Sequence, residues 1–200
     1  MTAETARART ETNRRGAARA RRGDMTQHSV EKIGGTSMSR SDELLETVFK
    51  GNGTGPYGRI FVVSAYGGIT DLLLEDKKSG APGVYGLFAA ADGSHAWLEA
   101  LDRVAEAMRA ESGRLLEDPA DRREAEDFLR ERIEGARTCL IDLQRLCSYG
   151  HFRLDEQMAT IRELLSGLGE AHSAHTTTVM LRRHGVNARL IDRSGWRDDR

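Results

Sequence analysis

Apolar residues change their spacing several times along this chain, and each change marks a predicted element. The run HSVEKI, beginning at His28, is short and ends in a Gly-Gly pair, which predicts a strand delivered into a tight turn. SRSDELLETVFKG follows, with Ser39 or Ser41 as a cap, acids in the first turn and Leu44, Leu45, Val48 and Phe49 at helical spacing. It predicts a helix ending before Gly51. NGTGPYG reads as a loop, and RIFVVSAYGG as a buried strand of the parallel type bounded by turns. A helix can begin over 70–76, whereas KKSGAPGVYG reads as loop.

Helical periodicity dominates the middle of the chain, about 95–168. Over 95–112 one stripe carries Trp97, Leu98, Leu101, Val104, Ala105 and Met108. Over 121–147 the stripe runs through Ala125, Phe128, Leu129, Ile133, Ala136, Leu140, Leu143 and Cys147, and the opposite face is dense in arginine and glutamate three and four apart. A further helix is predicted over 154–168, ending at Gly167 or Gly169. A separate one is predicted over 169–185, with Glu170 in its first turn and Gly185 closing it. VNARLID then predicts another strand. Strand, glycine turn, helix, strand is the opening of an α/β sheet.

Composition changes the picture mainly at the amino terminus. Residues 1–24 hold seven arginines against three acids, and no leucine, isoleucine, valine, phenylalanine, tyrosine or tryptophan. A segment with so little to bury cannot offset the entropy of ordering, so a disordered Arg-rich extension is expected, with Met25 as a candidate start. It lacks aromatic interleaving and lysine runs, which argues against a nucleic-acid arm, and no long apolar stretch suggests a secretory or membrane segment. Residues 25–200 form the folded part. Cys139 and Cys147, eight apart in a helical pattern, are expected to be reduced and at least partly buried, as in a cytoplasmic protein.

Three segments carry candidate chemistry. In KIGGTS, Lys32 stands beside Gly34, Gly35, Thr36 and Ser37: adjacent glycines let backbone amides approach a phosphate, and the ammonium group adds three donors. The lysine precedes the glycines, so this is neither a GxxxxGK[ST] loop nor a dinucleotide GxGxxG. A surface lysine beside an ordinary turn is the plain alternative. In VVSAYGGIT, Ser64 ends an apolar strand, where open α/β sheets bind ligands, and Thr70 starts the next helix as a cap or a ligand hydroxyl. In GEAHSA, Glu170 and Ser173 share a helix face. The carboxylate could cap the helix or hold an ammonium group. His172, His175 and His184 lack a firm third ligand, so no metal site is expected.

Together these residues resemble the aspartate kinase family, within the amino-acid kinase fold. The family opens with K-[FI]-G-G-T-S, here Lys32 to Ser37, continues with V-V-S-A and a threonine six residues after its serine, here Ser64 and Thr70, and has a G-E-x-x-S-A segment, here Gly169, Glu170, Ser173 and Ala174. The likeness covers about 28–195, and KIGGTSMSR and RIFVVSAYGGIT look most like the ectoine-associated members. It implies a three-layer α/β/α fold with a mainly parallel sheet, incomplete here, that binds ATP and Mg2+. Lys32, Gly34, Gly35, Thr36 and Ser37 would face the phosphates, and Ser64, Thr70, Glu170 and Ser173 would surround L-aspartate. The family's later T-x-G-x-G-G-S-D-like segment, nucleotide-binding half and regulatory ACT modules do not occur in these residues. The expectation is therefore the amino-terminal part of an enzyme that is a homo-oligomer when full length, with no nucleic-acid or membrane partner. The alternatives are a kinase of a related acceptor, such as an N-acylglutamate, and a non-catalytic fragment or assembly module.

Overall fold

A computed structural model describes residues 28–50, 55–90, 95–150 and 152–194, without the side chains at 41 and 42. The Arg-rich extension and Met25 lie outside the described residues. Strand β1 (Ser29–Ile33) leads into a single helical turn, α1 (Gly35–Met38), and then into α2 (Ser41–Leu44), which widens to a π-turn over Leu45–Phe49. Strand β2 (Arg59–Val63) is followed by α3 (Ile69–Leu73), α4 (Val84–Ala89), α5 (Ala96–Leu115), α6 (Pro119–Ser148) and α7 (Met158–Arg183).

β1 and β2 form a two-stranded sheet. Ser29 N donates to Gly58 O and Ser64 N to Ile33 O, both at 3.0 Å, so the strands run the same way. Parallel pairing requires a crossover, and the turns and loop over 34–58 supply it. The α/β class expected from the sequence holds, with a sheet that is small beside the helices.

The described residues divide into two units. The smaller holds the strand starts, 28–31 and 57–61. In it Arg59 forks onto Glu31 (Nε–Oε1 2.7 Å, Nη2–Oε2 2.5 Å), which holds the Glu31 carboxyl well below its usual range, and the guanidinium lies 4.7 Å over the Phe61 ring.

The larger unit holds the strand ends and all the helices. α6 starts where its sequence says it should: Asp118 Oδ1 accepts from Ala120 N at 2.7 Å, and Pro119 occupies the first turn, where no amide is needed. Its stripe buries Ala125, Leu129, Ile133, Ala136 and Leu140 against α5 and α7. Leu101, Val104 and Met108 fill the α5 side, and Phe88 of α4 meets Trp97 edge-on at 5.3 Å. Arg183 at the end of α7 pairs with Asp118 and Asp121 at the start of α6, which fixes the two helices antiparallel.

Several expectations are corrected. The helices predicted over 154–168 and 169–185 are one, α7, because Gly167 and Gly169 are accommodated inside it at about 1 kcal/mol each. No strand forms over 186–192. A strand needs a neighbour's ladder, whereas here Ala188 O accepts from Arg182 Nε at 2.9 Å and Asp192 pairs with Arg132. β2 is not buried on both faces: Ile60 and Val62 are 43% and 50% exposed, alternating with half-buried neighbours. Residues 84–86, expected in a loop, begin α4. Cys139 is exposed, and only Cys147 is partly covered.

Candidate functional site

The site lies in the larger unit, where both strands end. Because Ser64 N donates to Ile33 O, the KIGGTS and VVSA segments leave the sheet side by side. Ile33 is buried and Lys32, one residue earlier, is exposed, as alternation along a strand requires. Gly34 is extended (φ −77°, ψ 160°) and caps α1, with its carbonyl accepting from Met38 N at 3.0 Å. The amides of Gly35, Thr36 and Ser37 open this turn and have no acceptor within it.

Gly35 is needed for a close approach. A Cβ there would lie 2.9 Å from Ala65 O, so the glycine turn is pressed against the segment that follows Ser64. Ser39 ties the two glycine turns together: its hydroxyl donates to Gly35 O at 3.2 Å and accepts from Gly67 N at 2.9 Å. Its expected role as a helix cap is replaced by this bridge. Gly68, at φ +83°, makes the left-handed turn into α3. Gly68 itself is the cap residue, so Thr70 sits inside the first turn, half-buried, and does not cap it.

α7 completes the arrangement from the other side. Ser173 is fully buried, and its hydroxyl lies 2.8 Å from Ser64 O and 3.0 Å from Glu170 O. A Cβ on Gly169 would lie 2.8 Å from Ala65 Cβ and 3.2 Å from Ile69 Cγ2. A residue of any size there would push the helix off the Ser64 segment. Glu170 is exposed and stands mid-helix, which removes the expected favourable interaction with a helix amino terminus.

Two histidines flank these residues on α7. His172 is 2% exposed; burial, with a smaller contribution from His175, pushes its pKa down to about 4, opposed by the Met108 backbone. His175 stacks on Phe128 at 4.0 Å between centroids and is likewise lowered to about 4, first by burial and then by Arg182 and Arg132. Both rings are therefore neutral at pH 7.

No family model matches this sequence, and no solved structure matches it. Aspartate kinase Ask_Ect of Stutzerimonas stutzeri (strain A1501) is 50% identical over 174 residues, which are 86% of this chain and 37% of that relative. The chain resembles the aspartate kinases. It spans well under half the length of the relative that it matches.

Of the aspartate-kinase motif residues, Gly35, Ser64 and Ser173 are drawn together through Ala65 and the Ser64 carbonyl, while Lys32, Gly34, Thr36 and Glu170 are exposed around them. Ser37 is half-buried. A cavity of about 510 Å³ opens beside the Gly67–Gly68 turn, lined also by Asp71, Asp76, Arg103 and Glu111. Lys32, Ser64 and Glu170 do not line it. Sequence reasoning missed Ser39 as a bridge, Gly169 as a contact and His172 as a buried polar group. The glycine next to Glu170 was a legible signal for close packing, whereas nothing local marks the partners of Ser39 or His172.

An exposed ammonium one residue before a glycine turn and the first amides of α1 is a donor set whose chemistry fits a polyphosphate. Among the described residues no group of three His, Cys, Asp or Glu converges on a common point.

Proposed function

We propose that this chain is the amino-terminal part of an aspartate kinase, which transfers the γ-phosphoryl group of ATP to the β-carboxylate of L-aspartate and gives 4-phospho-L-aspartate and ADP. The observation that carries this reading is the junction of the motifs, in which Ser173 bonds the Ser64 carbonyl and Gly35 packs on Ala65. It brings the Ser64 segment, the KIGGTS turn and the Glu170 segment next to one another, as a common site for phosphate and aspartate requires. The likeness to Ask_Ect supports the same acceptor.

An aspartate side chain with a pKa of about 3.9 is already ionised at neutral pH and needs no general base. One of its oxygens attacks the γ-phosphorus, the bond to the bridging oxygen breaks, and ADP leaves with the electron pair. ATP with magnesium supplies the phosphoryl group. Lys32 neutralises charge on that group, while the amides of Gly35, Thr36 and Ser37 orient it. Ser64 and Thr70 position aspartate, and Glu170 accepts hydrogen bonds from its ammonium group. Ser173, whose hydroxyl is engaged with the Ser64 carbonyl, acts by holding that segment in place.

The three-layer α/β/α amino-acid kinase fold, a cytoplasmic location, a homo-oligomeric enzyme and membership of the ectoine-associated type are parts of the same proposal. Among the described residues no helix is long and apolar enough to cross a membrane.

The test, made on the full-length enzyme that carries this segment, is aspartate-dependent ADP release, with the acyl phosphate trapped by hydroxylamine as a hydroxamate. N-acetylglutamate, carbamate and a nucleoside monophosphate serve as competing acceptors. Preference for one of these would replace aspartate. Calorimetry that detects neither ATP nor aspartate binding would favour the non-catalytic module.

A further inference from the structure

α7 is anchored by an interior polar contact that the chemistry above does not use. Ser112 of α5, 6% exposed, places its Oγ 2.8 Å from His172 Nε2 and 3.2 Å from Thr176 Oγ1. On another side the His172 ring meets Tyr66 edge-on at 5.6 Å. Tyr66 lies two residues beyond Ser64, and His172 lies between Glu170 and Ser173. One imidazole thus touches both the scaffold helix and the segment that follows Ser64.

We infer that Ser112, His172 and Thr176 are positioning residues that fix the rotation of α7, so that Ser173 reaches the Ser64 carbonyl and Glu170 faces the aspartate site. The inference rests on the aspartate reading above. Its physical basis is directional. Around Ser173 the buried side chains of α7 are small, Ala171, Thr176 and Thr177, while its large apolar contacts, Ile161, Leu165, Leu168, Val179, Met180 and Leu181, lie toward its two ends. A step of one residue turns a helix by about 100°, which would carry Ser173 away from Ser64 and Glu170 away from the substrate. A buried hydrogen bond has a narrow range of distance and angle, and leaving its partners unmatched costs about 1–3 kcal/mol, so it adds a directional constraint on rotation to the apolar packing of the helix. A neutral ring suits the role, because one nitrogen accepts while the other keeps its proton.

The test measures aspartate binding by calorimetry to the enzyme that carries this segment, with thermal midpoints for every variant. Ser112→Ala and His172→Leu weaken aspartate binding on the order of tenfold, the scale of one lost directional bond. His172→Gln, whose amide can meet Ser112, restores most of the affinity. Leu140→Ala, in the core on α6, lowers the midpoint without changing aspartate affinity. If Ser112→Ala and His172→Leu lower the midpoint as Leu140→Ala does but bind aspartate within twofold of wild type, the contact serves stability alone and the inference is overturned.

Failure of the wild-type enzyme that carries this segment to bind aspartate removes the aspartate reading itself. Amide hydrogen exchange then decides the positioning separately. Faster exchange over 169–176 in His172→Leu, but not in His172→Gln, upholds the anchoring of α7, and unchanged exchange overturns it.

Discussion

Lys32 and Glu170 are both exposed, so removing either side chain leaves the core untouched and its effect is read in function. Lys32→Ala, in the enzyme that carries this segment, is expected to lower kcat by roughly a hundredfold, the loss of about 3 kcal/mol from one transition-state donor, with little change in aspartate affinity. Steady-state kinetics and a thermal melt check both halves, and unchanged turnover excludes the role. Glu170→Gln keeps the shape of the side chain and removes its charge. It should raise the aspartate KM and leave the ATP KM alone, and an effect confined to ATP would place the carboxylate elsewhere. The candidate residues were legible in the sequence because glycines beside a lysine or a serine are unusual locally. Which of them are open and which are enclosed was not: Glu170 and Ser173 share a segment, yet one is exposed and the other is fully buried.

Glycine has opposite consequences in two of the long helices. Gly113 lies in α5 with nothing within 4 Å of an added Cβ, so Gly113→Ala should stabilise by about 0.5–1 kcal/mol through helix propensity. Gly169 lies in α7, where the same methyl would stand 2.8 Å from Ala65 Cβ, an atom fixed directly to the backbone. Overpacking there costs about 1–3 kcal/mol and outweighs the propensity gain, so Gly169→Ala should destabilise and also displace the Ser64 segment. Denaturant melts of the pair give shifts of opposite sign. Equal shifts would mean that α7 does not press on Ala65. The merging of two predicted helices into α7 has the same origin. A glycine reads as a stop when only local propensity is counted, but in α7 it is retained because it allows the close approach.

The unit that holds α5 to α7 should lose stability on mild acidification. His172 and His175 titrate near 4 when folded and near 6.5 when unfolded, so between those values the unfolded chain binds protons that the folded chain refuses. Their contribution is complete above about pH 6.5 and falls away as the pH drops toward 4, to the extent of about 3 kcal/mol for His172. Thermal midpoints at pH 7 and pH 5 test this. His172→Gln should flatten the difference, and an unchanged slope would remove His172 as its source. Asp118, lowered first by the Ala120 amide, and Asp192, lowered by Ser194 and Arg132 against its burial, add further losses only at lower pH. What the sequence determined by itself was the kind of each element and the motif residues, because periodicity, capping and glycine turns act over a few neighbouring positions: α5 and α6 fall on their predicted stripes, and β1 and β2 on their predicted runs. Tertiary structure alone decided that α7 runs through its glycines, that 186–192 forms no strand, and that Ser39, Ser173 and His172 find partners tens of residues away. Those outcomes depend on which surfaces meet, and one-dimensional spacing carries no record of a hydroxyl 2.8 Å from a carbonyl 109 positions earlier.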